Sequence, residues 1–266
     1  MSRTLNINID QMKKPRKDWK ISVIIPLYNE ENSIQSVLED ISQKHHNEII
    51  IIDDGSTDRS LERIKEMNLN TIKIFSHKKN MGYGAAVLTG INKAHGDIIV
   101  TLDSDGQHDP REIPILIRPL ILKKARMIVG SRYLGHSHYT VPFHTRMGEF
   151  LVDLFLFLLF GQLVGNNQNG FRAFFKKDIE NLKNNINYTN YGFCTETIFL
   201  YASEGLKVKE VPIHVRPREF GKSYVNIFKI LVVISTCIIK YGLKRVKLLE
   251  HVPDFLKHMF LFISRS

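Results

Sequence analysis

Two cysteines, one tryptophan and no apolar run of membrane-spanning length define what this sequence does without. Cys194 and Cys237 lie in apolar surroundings with no metal-ligand spacing, which argues against a disulfide scaffold or a zinc module and fits reduced core thiols in a cytosolic protein. The first 20 residues hold no apolar segment of the kind a secretory leader needs, and they read as a flexible basic lead-in ending near Trp19. The apolar stretches 154–165 and 230–239 both fall short of the roughly 20 residues that cross a bilayer. Each reads either as a core helix or as a helix lying in a membrane interface with lysines reaching the headgroups. Lys240, Lys244, Arg245 and Lys247 tilt the second stretch toward a membrane surface. Acidic residues are in deficit: 27 Asp+Glu against 37 Lys+Arg leave a formal charge of +10, which suits a nucleotide, a lipid phosphate, an acidic bilayer or a nucleic acid. Composition does not choose among these.

The 266 residues suffice for one large α/β domain, and a hydrophobic share of 43% rules out wholesale disorder. Residues 21–25, 48–53, 71–75 and 97–103 are short β-branched runs, nearly continuous in apolar side chains, as strands buried on both faces are. Helical patterns over 32–44, 57–67 and 84–94 separate them, with Asn32 or Ser33 and Ser56 or Thr57 as caps for the first two. This βαβαβαβ order predicts a doubly wound, mostly parallel sheet. A helix broken by Pro114 and Pro119, a strand at 127–130, a helical region from His144, a polar turn at 166–170, a helix near 195–204 and a strand at 207–215 follow. The expected organisation is a lead-in over 1–20, a catalytic domain over 21–225, and amphipathic C-terminal helices over 226–266.

Three motifs stand at the expected strand ends, where doubly wound folds bind ligands. In Asp103-Ser104-Asp105-Gly106-Gln107, alternate residues of an extended chain project to one side. Asp103, Asp105 and Gln107 therefore offer three hard oxygens suited to Mg²⁺ or Mn²⁺, unless the run is only a solvated turn before Asp109-Pro110. In Asp53-Asp54-Gly55-Ser56-Thr57-Asp58, a carboxylate can accept from the imino N–H of uracil or guanine, while the same residues can also turn the chain and cap the next helix. Tyr28, just past the first strand, can lie against a base or ribose. Asn80-Met81-Gly82-Tyr83-Gly84 permits close backbone approach to an anion, and alone it is a weak signal.

Taken in order, these motifs resemble the family 2 glycosyltransferases of GT-A fold, in the branch of the dolichyl-phosphate mannose and polyprenyl-phosphate glucose synthases. The resemblance also rests on Val23 to Glu30, Gly130-Ser131-Arg132-Tyr133, Gly170-Phe171-Arg172, Glu210-Val211-Pro212-Ile213 and Arg218-Glu219-Phe220-Gly221-Lys222-Ser223, and it covers about residues 21–225. It implies that Pro26, Tyr28, Glu30, Asp53, Asp54 and Gly82 line a nucleotide pocket, and that Asp103, Asp105 and Gln107 hold the cation on the diphosphate. Arg132, Arg146, Arg218 and Lys222 would gather around the acceptor phosphate and the leaving group, with guanidinium forks matching phosphate oxygens. Asp105, Arg132, Arg218 and Glu196 would carry catalysis, Glu196 orienting the sugar or active-site loops for a phosphate acceptor and serving as base if the acceptor is a hydroxyl.

The implied reaction is inverting transfer of one sugar from a nucleotide-diphosphate sugar, of GDP-mannose or UDP-glucose type, to a polyprenyl or dolichyl phosphate. The alternative is transfer to a hydroxyl of a glycan or glycolipid. A non-catalytic nucleotide- or nucleic-acid-binding module is disfavoured by the intact acidic triplet, so no nucleic-acid partner is expected. Two features depart from the family pattern: Asn166 stands where phosphate-acceptor relatives commonly have Asp, and no set of transmembrane helices follows the catalytic region. The Gln-x-x-Arg-Trp signature of processive synthases is absent as well, since the single tryptophan is Trp19. The expected location is peripheral, on the cytoplasmic face of a membrane.

Overall fold

The computed structural model describes residues 18–41, 48–67, 69, 71–137, 141, 143–190, 192–217 and 227–242. Strands β1 (Ile21–Leu27), β2 (Glu48–Asp53), β3 (Ile72–Ser76) and β4 (Ile98–Thr101) alternate with helices α1 (Ile34–Asp40), α2 (Ser60–Glu66) and α3 (Tyr83–Lys93). A 3-10 turn, Pro110–Glu112, leads into α4 (Ile113–Ile121), then β5 (Met127–Ser137), α5 (Phe143–Phe160), β6 (Arg172–Phe175), α6 (Lys176–Leu182), α7 (Gly192–Ser203), β7 (Val208–Val215) and α8 (Ile227–Cys237). The last described turn, Ile238–Gly242, is a π-helix.

The seven strands form one sheet in the order β3-β2-β1-β4-β6-β5-β7. All neighbours run parallel except β6, which is antiparallel to both β4 and β5. The expected parallel sheet is therefore present, with one strand that the sequence pattern did not reveal. Four residues directly after a polar turn are too few to display a period, and α6 follows β6 without a break.

Alternation along each strand divides the core in two. Ile24, Ile50 and Ile52 pack on one face with α3, α5, α7 and α8, while Val23, Ile25, Ile49 and Ile51 pack on the other with α1 and α4. Each such isoleucine, fully withdrawn from water, contributes roughly 2 kcal/mol. The double coverage explains why these strands read as unbroken apolar runs.

The apolar stretch 154–165 behaves differently from 230–239. Val233, Ile234 and Cys237 of the latter are buried against the main core, so α8 is packed on the catalytic domain at these positions. On α5, Val152 and Leu156 are buried while Phe143, Phe150, Phe157 and Leu158 stand exposed. Among the described residues no helix is long and apolar enough to cross a membrane. Residues 1–17 and 243–266 of the expected lead-in and C-terminal helices lie outside the described residues.

Candidate active site

The carboxyl ends of β1, β2 and β4 meet at one edge of the sheet, and the reversed β6 begins there. Antiparallel pairing of β4 with β6 sets Thr101 opposite Arg172, so two residues after Thr101 and two before Arg172, Asp103 comes to face Gly170. Thr101 Oγ1 donates to the Gly170 carbonyl at 2.5 Å, and the Tyr83 hydroxyl reaches the same oxygen at 3.4 Å. Gly170 lies so near the Asp103 carboxylate that a β-carbon there has no room. Gly-Phe-Arg is thus a packing motif for the acidic loop. Its arginine serves the same end: buried Arg172 donates to the carbonyls of Asn169, Asn167 and Cys194 and to Thr197 Oγ1, which shapes loop 166–170 and leaves the guanidinium to the protein.

Asp105 Oδ1 accepts from the Gln107 amide at 3.1 Å. Gln107 is pinned to the end of β7, its Nε2 donating to the Arg216 carbonyl at 3.3 Å while the Arg216 amide donates to the Gln107 carbonyl at 2.9 Å. That donation orients the side-chain amide and leaves Oε1 as its remaining ligand atom. His108 is buried, stacks on Phe171 and sits 3.6 Å from Asp103 Oδ2. Burial holds its imidazole down at about 4, so it is neutral near pH 7. Among the described residues no three His, Cys, Asp or Glu side chains converge as a closed metal cage. The donor chemistry of Asp103, Asp105 and Gln107 nevertheless fits Mg²⁺ or Mn²⁺, which bind through one or two carboxylates and complete their shells with phosphate oxygens and water.

Beside this loop lie the expected nucleotide residues. Pro26 is buried in β1 opposite Ile52, and Tyr28 is exposed. Glu30 Oε2 accepts from Ser33 Oγ at 2.9 Å, and the same hydroxyl lies 2.8 Å from the Ser104 carbonyl, tying the end of β1 to the acidic loop. Asp53 is buried and accepts from the Ser56 amide at 3.0 Å. Asp54 is spent on the protein. Its carboxylate accepts from the amides of Met81 at 2.9 Å and Gly82 at 2.7 Å and meets His77 Nδ1 at 2.6 Å. Asp54 thereby ties loop 80–82 to the end of β2, and Gly82 takes part through a positive φ of 97°.

Arg132, half-buried midway along β5, donates through Nε to Asn166 Oδ1 at 3.2 Å. Asn166 thus keeps the oxygen ligand while lacking the charge. Exposed Arg146 on α5 lies over the Tyr133 ring at 5.4 Å. Beside Arg146 runs a cleft of about 550 Å³ lined by Tyr133, Phe143, Arg146, Met147, Glu149, Phe150, Asp153 and Gly165. Glu149 and Glu210 escaped the sequence reading as site residues. Glu210 was legible only as part of a strand motif, yet its carboxylate holds the amides of Gly165 and Asn166 at 2.9 and 2.8 Å. Arg218 and Lys222 lie outside the described residues.

Glu196 is placed otherwise than a catalytic role requires. It is buried, with Oε2 accepting from the amides of Asn187 and Tyr188, both at 2.8 Å. Oε1 accepts from Lys240 Nζ and the Tyr241 hydroxyl, both at 3.0 Å. Four donors leave this carboxylate no capacity for a substrate hydroxyl, so its position fits an anchor for the π-helical turn and loop 185–188.

The family model described as Glycosyl transferase family 2 matches residues 22–204. Over 222 residues the chain is 34% identical to the UDP-N-acetylglucosamine--dolichyl-phosphate N-acetylglucosaminyltransferase of Methanococcus voltae, covering 77% of this chain and 88% of that one. It is 31% identical over 212 residues to the dolichol-phosphate mannosyltransferase of Pyrococcus furiosus, covering 77% of this chain and 58% of that longer protein. Among solved structures, the glucosyl-3-phosphoglycerate synthase of Mycobacterium tuberculosis, in complex with Mn²⁺, UDP and glucosyl-3-phosphoglycerate, superposes with a TM-score of 0.64 at 22% identity. That match covers 85% of this chain and 80% of the other and shows a shared fold.

Proposed function

The chain belongs to glycosyl transferase family 2, and we propose that it moves one sugar from a nucleoside diphosphate to a polyprenyl or dolichyl phosphate with inversion at the anomeric carbon. The observation that carries this reading is the adjacency of two surfaces. The acidic loop at the end of β4 is linked to the cleft through residues 165–170, since Gly170 abuts Asp103 and Gly165 lines the cleft with Arg146 and Tyr133, and the same cleft is walled by Phe143, Met147 and Phe150 of a helix that shows phenyl groups to solvent. A cation-binding edge, guanidinium groups and an exposed apolar helix suit, respectively, a nucleoside diphosphate, a phosphate and a lipid tail. Relatives named for transfer to dolichyl phosphate support the acceptor class.

Asp103, Asp105 and Gln107 would hold Mg²⁺ or Mn²⁺, which when bound neutralises charge on the departing diphosphate. Tyr28 and Glu30 would contact the nucleoside, with Asp53, Asp54, Pro26 and Gly82 shaping the pocket wall. Arg132 and Arg146, joined by Arg218 and Lys222 from beyond the described residues, would orient the acceptor phosphate for in-line attack. A phosphate monoester with a second pKa of about 6 is already ionised near neutral pH, so the chemistry asks for no general base. The saturated Glu196 is consistent with that, whereas a hydroxyl acceptor would require a base that the described site does not offer there. The donor would be of GDP-mannose or UDP-sugar type. The exposed face of α5 would rest in the headgroup region of a membrane, on its cytoplasmic side.

Incubating the purified protein and Mn²⁺ with a panel of nucleotide sugars and short polyprenyl phosphates tests the reading. A lipid-linked monosaccharide is the expected product. Transfer confined to free sugar hydroxyls would overturn the acceptor assignment.

A further inference from the structure

Glu149 sits in the acceptor cleft with an unusual set of neighbours. It is 3% exposed, on the inner side of α5, and its Oε2 accepts from the Tyr133 hydroxyl. Its Oε1 is also withdrawn from water and receives no donor among the described residues. The charged and titratable groups facing it are Arg132 and Tyr133 from β5, Arg146 from α5 and Glu210 from β7, while Asp153, one turn further along α5, lines the same cleft. Two guanidinium groups are thus set against two or three carboxylates. Among the described residues the pocket carries no net positive charge when every acid is ionised, and a phosphate dianion entering it would meet the Glu149 carboxylate at close range.

One proton resolves the conflict. We propose that Glu149 binds the acceptor phosphate as a neutral carboxylic acid, keeping the Tyr133 hydroxyl on Oε2 and donating from Oε1 to a phosphate oxygen. This rests on the lipid-phosphate reading above and adds a residue to its acceptor site. The proton comes from solvent, stays on the carboxyl throughout and takes no part in sugar transfer. Burial raises the Glu149 pKa; the Tyr133 hydrogen bond and Arg132 lower it, and Glu210 raises it further. An incoming phosphate adds a second negative neighbour and favours protonation again. Acceptor binding and proton uptake are therefore linked: each tightens the other.

The test is the KM for a short-chain prenyl phosphate as a function of pH, with the donor saturating, for wild type, Glu149→Gln and Tyr133→Phe. In the wild type the acceptor KM is expected to climb with pH, approaching tenfold per unit on the alkaline side, while kcat stays nearly level. Glutamine mimics the neutral acid, so E149Q should keep the low KM and lose the climb. Y133F removes a donor that favours the carboxylate, so its climb should begin at higher pH than in wild type. If E149Q and wild type share one pH dependence, or Y133F shifts the climb downward, Glu149 is not the protonated ligand. Absence of turnover with any prenyl phosphate by the wild type itself would instead remove the acceptor reading, and this inference with it.

Discussion

Gly170 faces Asp103 so closely that a β-carbon on it would stand 2.2 Å from Oδ1 and 2.5 Å from Oδ2 of the aspartate. The antiparallel register of β4 and β6 leads to this contact, because it pairs Thr101 with Arg172, two residues before Asp103 and two after Gly170. The glycine of the Gly-Phe-Arg motif is therefore the wall against which the first aspartate of the acidic loop is set.

Replacing Gly170 by alanine must displace Asp103 or the loop. We expect a loss of turnover of at least about tenfold, with overpacking costing roughly 1–3 kcal/mol of stability. Steady-state rates alongside a urea titration check this, and an alanine variant with wild-type turnover would show that the Asp103 position is unimportant.

Asp105→Asn keeps the shape of the loop and removes a charge that would face the cation. Turnover should fall on the order of 10²-fold or more, and chelation of divalent metal should abolish activity in the wild type reversibly. Melting temperature should barely move in either case. Undiminished turnover in excess chelator would contradict the metal reading.

Glu196→Ala removes the shared acceptor of the Asn187 and Tyr188 amides and one partner of the half-buried Lys240 ammonium, inside a pocket closed to water. A stability loss on the order of 3 kcal/mol is expected, with turnover per folded molecule changed far less than for the aspartates. A stable variant with turnover reduced about a thousandfold would instead identify Glu196 as a base.

Acid should loosen the sheet edge at Glu48. Burial pushes this carboxyl up, but donors from Lys73, Ser22 and His95 outweigh it and bring it from 4.5 down to about 2. The folded pKa lies below the unfolded one, so the stabilisation is complete above about 4.5 and disappears as pH falls toward about 2. Glu48→Gln should lower the urea midpoint at neutral pH and flatten its decline across that acid window.

Phe157 and Leu158 are 53% and 65% exposed on α5 and lie outside the cleft lining. Changing both to glutamate should weaken co-sedimentation with anionic vesicles about tenfold or more, leaving turnover on a short soluble prenyl phosphate largely intact. Equal sedimentation of variant and wild type would move the membrane contact elsewhere.

The local patterns carried the sheet and the place of the acidic loop. Runs such as Ile49 to Ile52 had to be strands covered on both faces, and Asp103-Ser104-Asp105 had to fall where one of them ends, because strand period and turn chemistry are properties of neighbouring residues. What a carboxylate does is different, since that depends on which donors the fold brings to it. Asp54 is occupied by His77, Met81 and Gly82, and Glu196 by Asn187, Tyr188, Lys240 and Tyr241. Only tertiary packing decided these assignments, along with the insertion of β6 that sets Gly170 on Asp103 and the burial of Glu149 against Tyr133. Hydrogen-bond saturation and solvent exclusion arise between segments distant in the chain and leave no periodic trace along it.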